Sequence, residues 1–159
     1  MLRRSLFLAL LGLSAVCHSE EIRGRVVGVA DGDTITVLDN QKVQHKIRLA
    51  GIDAPEKAQA FGQRAKESLS DLVFKKDVTV ETTKRDRYGR LVGKVLLGDQ
   101  DVNLEQLRRG LAWYYRKYAA ELTPEDRLAY DGTETSAKAR KAGLWVHPAP
   151  TPPWDFRRP

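Results

Sequence analysis

Residues 22–52 consist of short runs rich in β-branched residues, separated by the turn signals Asp31-Gly32 and Asp39-Asn40-Gln41. Apolar runs bounded by aspartate, asparagine and glycine are typical of short strands joined by tight turns. This segment therefore predicts three strands in a meander, and the remaining elements must fold around it.

The rest of the chain alternates between helical and strand patterns. Residues 58–74 carry apolar side chains at helical spacing and predict an amphipathic helix. Val78–Glu81 and Leu91–Leu97 predict two more strands. Asn103, with Gln106 three residues later, resembles a capping box and predicts a short second helix, while Thr123-Pro124 predicts the start of a third.

Five short strands, with one helix after the third strand and further helices after the fifth, fit a small closed barrel of the oligonucleotide-binding (OB) type. The predicted fold class is therefore mainly β with α, a five-stranded OB-fold barrel with three helices. Closure of such a barrel removes exposed sheet edges.

The N-terminal segment 1–19 reads as a signal peptide, because Arg3 and Arg4 precede an apolar run that ends in small residues. A membrane anchor is the alternative, but the run is shorter than the roughly 20 residues that span a bilayer. Lipidation at Cys17 is a second alternative. Residues 20–146 then form one domain, and 147–159, with five of the seven prolines, form a proline-rich C-terminal tail.

The charge balance is basic. The chain has 159 residues and a formal charge of +6, which falls to +4 if Arg3 and Arg4 are removed with the signal. A basic excess favours a polyanionic partner, although a charged surface is also ordinary for a soluble domain. Loss of Cys17, the only cysteine, would exclude disulfides and thiolate metal sites from the mature protein.

The sequence Asp31-Gly32-Asp33-Thr34 places two carboxylates where a turn enters a strand. Taken alone, this pattern is more often a turn than a site. In the later run 47–56, however, Arg48 lies in a strand and Asp53 and Glu56 follow the strand's end. A buried Arg–Asp pair is the structural alternative for this cluster.

Calcium binds carboxylates, backbone carbonyls and water. Asp33, Asp53 and the carbonyl of Ala54 can form a partial calcium cage with open positions for water and phosphate. A second cluster, 84–90, places Arg87 and other cations beside Tyr88, where an aromatic ring can stack on a base and arginines can bind phosphate. A solvated hairpin turn is the alternative for this cluster.

Three motifs resemble the staphylococcal nuclease, or thermonuclease, family in order and spacing: DGDT at 31–34, IRLAGIDAPE at 47–56 and DRYGR at 86–90. The likeness extends from about Arg25 to Trp145. It implies an OB-fold barrel with three helices and calcium held by Asp33, Asp53 and the Ala54 carbonyl. It also implies that Arg48, Glu56 and Arg90 are the catalytic residues.

By this resemblance, Arg48 and Arg90 stabilise the phosphoryl transition state, and Glu56 orients or deprotonates the attacking water. The implied products carry 3′-phosphates. Arg87, Tyr88 and Tyr118 are the expected substrate-binding residues, although core packing can also account for the aromatic run 113–118. The chain departs from the family's founding member in having alanine for threonine at position 54 and a shorter basic loop at 57–59.

The expected function is therefore a monomeric, secreted or periplasmic, calcium-dependent endonuclease that cleaves DNA and RNA. Single-stranded or unwound duplex substrates are expected to be preferred, with no stable membrane association after signal removal. One alternative is a non-catalytic OB-fold module that binds nucleic acid. Another is a structural surface protein, in which Arg48 and Glu56 would matter only for stability.

Overall fold

The structure is a computed structural model that describes residues 20–158. The predicted signal segment, with Cys17, lies outside the described residues. Within 20–158, no helix has the length and apolar character needed to cross a membrane.

The first three strands form the predicted meander. They are β1 (Glu20–Asp31), β2 (Thr34–Asp39) and β3 (Gln44–Leu49), and each pairs with the next in antiparallel register. Alternate side chains of β2 and β3, including Ile35, Val37 and Ile47, are fully buried in the main core. This alternation is the reason that the β-branched runs form strands with one face inside the protein.

The sheet closes on itself. After a two-residue strand, β4 (Ile52–Asp53), come β5 (Asp77–Arg85) and β6 (Leu91–Leu97). β5 pairs antiparallel with β1 and β6, and β6 pairs in parallel with β3. The strands β3-β2-β1-β5-β6 therefore form a closed five-stranded barrel, which confirms the predicted fold class.

Three helices of seven residues or more pack on the barrel in the described part of the chain: α1 (Gly62–Val73), α2 (Val102–Arg108) and α3 (Pro124–Ala139). The remaining elements are short. They are β7 (Gln100–Asp101), β8 (Trp113–Tyr114), the 3-10 helices Arg116–Glu121 and Gly143–Val146, and α4 (Pro153–Phe156). Thr123 caps α3 and Pro124 is its first residue, as predicted.

Two helix starts differ from prediction. α1 begins at Gly62 rather than residue 58, because Phe61 adopts a left-handed conformation with φ of 67° and the chain there folds back on Glu56. α2 begins at Val102, and its N-cap is Asp101, whose side chain accepts the Leu104 amide. The predicted cap, Asn103, instead lies inside the helix and is fully buried.

The proline-rich tail is also not extended throughout. α4 forms within it, Pro153 is buried, and the Trp154 ring packs against the rings of Trp113 and Tyr115. These contacts bring the C-terminus back onto the domain beside β8.

Candidate active site

All nine site residues predicted from sequence line one cleft at the end of the barrel, together with aromatic and basic residues from several loops. The predicted residues are Asp33, Arg48, Asp53, Ala54, Glu56, Arg87, Tyr88, Arg90 and Tyr118. The cleft lining has ten lysine or arginine residues against six aspartate or glutamate residues, so its net charge suits an anionic ligand.

Asp33 is fixed between the β1–β2 turn and the segment after β4. Its Oδ1 accepts the Thr34 hydroxyl at 3.1 Å, and its Oδ2 accepts the Ala54 amide at 2.6 Å. Burial raises the pKa of the Asp33 carboxyl to about 7, against the lowering effect of Arg48. A nearby cation would stabilise the ionised form of this buried carboxylate.

Arg48 joins the two predicted metal ligands. Its guanidinium lies 3.2 Å from Asp33 Oδ2 and 3.0 Å from Asp53 Oδ1. The same group donates to the carbonyls of Leu49 and Ile52, at 3.0 and 2.9 Å. With 15% of its side chain exposed, Arg48 is held rigidly at the floor of the cleft.

Asp53 is positioned by a small second sheet. β4 pairs with β8, where Asp53 lies opposite Trp113, and the Asp53 side chain is 1% exposed. On the far side of β8, the fully buried Glu134 of α3 accepts the Tyr114 amide at 2.9 Å. Packing of α3 on the barrel thus supports the strand that holds Asp53.

Glu56 lies at the mouth of the cleft, with 38% of its side chain exposed. The Gln59 side chain accepts the Glu56 amide at 3.1 Å, and a Cβ on Gly62 would lie 1.9 Å from the Glu56 carbonyl oxygen. These contacts fix the backbone of Glu56 at the mouth of the cleft.

Arg90 is aimed by the turn after β5. Asp86 accepts the Arg90 amide at 3.0 Å and the Arg90 Nε at 2.7 Å, which leaves both terminal nitrogens of Arg90 without a protein acceptor among residues 20–158. Tyr88 lies in the same turn, 68% exposed, and its ring contacts the guanidinium groups of Arg87 and Arg90. The turn thus carries an exposed aromatic ring with two guanidinium groups beside it.

A second aromatic wall, formed by Tyr115 and Tyr118, also lines the cleft. Tyr118 is 40% exposed, Lys84 lies over its ring at 5.4 Å, and Tyr115 contacts it edge to face. Tyr115 itself stacks on Trp154 with an interplanar angle of 1° and a centroid distance of 5.1 Å. Tyr118 therefore has the exposure expected of a substrate contact, while Tyr115 is covered by the tail.

Sequence reasoning missed two residues that the structure adds to this region. Gln106 of α2 is fully buried and donates to the carbonyl of Gly32, next to Asp33, at 2.8 Å. Arg157 of the tail donates to both oxygens of Asp53 and to Glu56 Oε1. Nothing in the local sequence pattern marks either contact, since both join segments far apart in the chain.

The donor set is compatible with a hard cation. Within residues 20–158, no three His, Cys, Asp or Glu side chains are arranged as a metal-binding group. Asp33, Asp53 and the Ala54 carbonyl nevertheless supply three hard oxygen ligands, and calcium commonly completes its shell with water. Burial is the main reason that the pKa of Asp33 is raised, and a bound cation would favour its ionised form. The residues thus fit calcium.

A closed OB barrel whose cleft combines fixed arginines, buried carboxylates and exposed tyrosines defines a nuclease of the OB-fold type. Comparison with known proteins agrees, because the family described as "Staphylococcal nuclease homologue" matches residues 46–147. The chain belongs to the staphylococcal nuclease family and is a hydrolase of the nuclease class.

Three relatives resemble most of the chain. An "Uncharacterized endonuclease" of Haemophilus influenzae is 41% identical over 99% of this chain and 85% of its own length. A "Micrococcal nuclease" of Shigella flexneri is 42% identical over 87% of this chain and 82% of its own. The Escherichia coli protein "Protein ParB" is 40% identical over 99% of this chain and 91% of its own.

Proposed function

We propose that the chain is an exported, calcium-dependent endonuclease that hydrolyses phosphodiester bonds in DNA and RNA and leaves 3′-phosphate ends. The observation that carries the proposal is the joining of Asp33 and Asp53 by Arg48, in a cleft that also holds Glu56 and Arg90. A phosphodiester in this cleft would meet fixed cations on one side and a carboxylate on the other.

Arg48 and Arg90 are the groups that would bind the phosphoryl oxygens. Charge grows on these oxygens in the transition state, and donors that are already fixed pay little reorganisation cost. Arg48 is fixed by two backbone carbonyls and two carboxylates, and Arg90 by Asp86. The free terminal nitrogens of Arg90 suit bidentate phosphate binding.

Glu56 is the group that would orient or deprotonate the attacking water. Its carboxylate is partly exposed, so a water molecule can reach it, and its backbone is held by Gln59. A positioned carboxylate within hydrogen-bond distance of water is the geometric requirement for this role.

Asp33, Asp53 and the Ala54 carbonyl would hold the calcium ion. When bound, calcium supplies positive charge against the phosphate oxygens. The buried carboxylates carry the negative charge that keeps the ion in place, and the Ala54 amide keeps Asp33 turned toward it. Alanine at position 54 does not disturb this set, because the ligand is a backbone carbonyl.

The substrate would lie along the two aromatic walls. Tyr88 and Tyr118 are exposed, and unpaired bases stack on such rings with little sequence preference. This supports a preference for single-stranded or unwound nucleic acid by a monomeric enzyme. The N-terminal signal pattern supports secretion or a periplasmic location.

Two substitutions test the proposal. Glu56→Gln and Arg90→Ala are each expected to lower turnover on single-stranded DNA by roughly a hundredfold or more, because each removes a transition-state contact. Arg23→Ala, an exposed arginine outside the cleft, is the matched control and should cleave normally.

Circular dichroism should show that all three variants remain folded. The wild-type products should also accept a 5′ label from polynucleotide kinase without prior phosphatase treatment. Near-normal cleavage by either active-site variant would refute the assigned roles, and tight binding without any cleavage by the wild type would favour a non-catalytic binding module.

A further inference from the structure

The C-terminal tail docks in the cleft through three separate contacts. Gln59 donates to the Thr151 carbonyl at 2.6 Å, Pro153 is buried, and Trp154 stacks face to face on Tyr115. Trp154 also contacts the edge of Trp113, with ring centroids 5.5 Å apart. These uncharged contacts hold the tail against the domain.

One turn of α4 places the end of the tail directly over the carboxylates. Trp154 and Arg157 are three residues apart, so a single helical turn brings both side chains to one face. Arg157 Nη2 lies 2.6 Å from Asp53 Oδ2, and its Nη1 lies 3.1 Å from Asp53 Oδ1 and 2.6 Å from Glu56 Oε1. One guanidinium therefore binds both carboxylates.

The contacted groups are those that catalysis would use. Asp53 is a proposed calcium ligand and Glu56 is the proposed partner of the attacking water. A guanidinium that fills both oxygens of Asp53 competes with a metal ion for the same lone pairs, and two cations at this distance repel each other. The stacking of Trp154 on Tyr115 holds Arg157 in this position.

We infer that the segment Pro152–Arg158 is an intramolecular competitor of the enzyme's own metal ion, in which Arg157 takes the place of calcium at Asp53 and Trp154 anchors the segment on Tyr115. Calcium binding then requires Arg157 to leave. The tail lowers the apparent calcium affinity and links metal binding to opening of the cleft. This inference rests on the proposed calcium dependence.

Calcium affinity is the direct test. Isothermal titration of calcium chloride into the full-length mature protein, without nucleic acid, should give an apparent Kd about three- to tenfold lower for Arg157→Ala than for wild type. Arg158→Ala is the matched control, because it removes an equal charge from the same segment, and Arg158 pairs with Asp155 rather than with Asp53 or Glu56 among residues 20–158. The Kd of this control should stay within about twofold of wild type, since exposed pairs contribute little.

Thermal unfolding provides a second readout. In excess EDTA, Arg157→Ala should unfold at a lower temperature than wild type, because Asp53 and Glu56 lose a partner. In saturating calcium the difference should shrink, since Arg157 has already left the wild-type site. Arg157→Lys keeps the charge but not the bidentate fork, and should bind calcium with intermediate affinity.

The possible failures are distinguishable. Calcium binding by the wild type with an unchanged or weaker affinity in Arg157→Ala would overturn the competitor role and leave the proposed nuclease function intact. Absence of calcium binding in both the wild type and Arg157→Ala would overturn the competitor role and the proposed calcium dependence together.

Discussion

Replacing Gln106 with leucine removes a side chain whose hydrogen bonds join the turn before Asp33 to α1 and α2. The Gln106 amide donates to the carbonyls of Gly32 and Ala65, at 2.8 and 3.0 Å, and its oxygen accepts the Ser68 hydroxyl at 2.7 Å. Leucine fills a similar volume, so the loss is mainly one of hydrogen bonds. Gln106 does not line the cleft, and any effect on cleavage must act through the position of Asp33.

The three lost bonds are unequal in their expected effect on stability. Ser68 keeps a contact with Arg109 at 3.1 Å, and the Ala65 carbonyl lies inside α1, where helical hydrogen bonding serves it. The Gly32 carbonyl is the main group left without a partner. A buried polar group without its hydrogen bond costs about 1–3 kcal/mol, so Gln106→Leu should lose about 2 kcal/mol of unfolding free energy.

Cleavage should fall further than this destabilisation explains. A displacement of about 1 Å at a catalytic group can cost up to roughly a hundredfold in rate, so we expect kcat/KM to fall at least about tenfold. Tyr130→Phe is the control matched for stability. Its buried hydroxyl donates to Asp101 at 3.0 Å, and its loss should also cost about 2 kcal/mol, but Tyr130 lies outside the cleft.

The assay is urea unfolding of both variants, together with their kcat/KM on single-stranded DNA in saturating calcium. Gln106→Leu should lose activity, and Tyr130→Phe should retain it at a similar loss of stability. Equal activity of the two variants would refute the claim that Gln106 positions Asp33.

Three further perturbations follow from single contacts. Gly62→Ala should lower turnover and stability together, measured by cleavage rate and thermal midpoint, because the added Cβ would lie 1.9 Å from the Glu56 carbonyl oxygen. Glu134→Ala should cost roughly 1–3 kcal/mol in urea unfolding, because it leaves the buried Tyr114 amide without its acceptor. Burial of Glu105 raises its pKa, but hydrogen bonds from Arg109 and Arg108 outweigh this effect and lower the pKa below the ordinary 4.5. The stabilisation by the Glu105 carboxylate is therefore present above that pH and lost as pH falls through the lowered pKa, so the unfolding midpoints of wild type and Glu105→Gln should converge as pH falls below about 4.5.

The barrel and most of the cleft could be predicted because their signals are local. Alternation in β2 and β3 and the turn residues between them specify strands without reference to distant parts of the chain. The three motifs around Asp33, Asp53 and Arg90 lie at strand ends, and closure of the barrel brings such ends together. Prediction of the nine cleft residues also depended on the resemblance of these motifs to the staphylococcal nuclease family, which supplied the catalytic roles and Tyr118.

The contacts that were not predicted all depend on tertiary structure. Asn103 has the sequence pattern of a helix cap, but its side-chain amide donates to the carbonyls of Ala50 and Gly93 in the barrel. Asp101 caps the helix instead. The start of α1 moves to Gly62 because the chain must first pack against Glu56. A proline-rich tail gives no periodic signal, so the placement of Arg157 on Asp53 was not predictable from its sequence.

The central claim is that this cleft is a calcium-dependent nuclease site, and the most direct measurement is cleavage of single-stranded DNA and of RNA by the wild-type protein in calcium and in excess EDTA. The account predicts cleavage of both substrates in calcium, loss of cleavage in EDTA, and recovery when calcium is restored. Undiminished cleavage in EDTA, or no cleavage of either substrate in calcium, would contradict it.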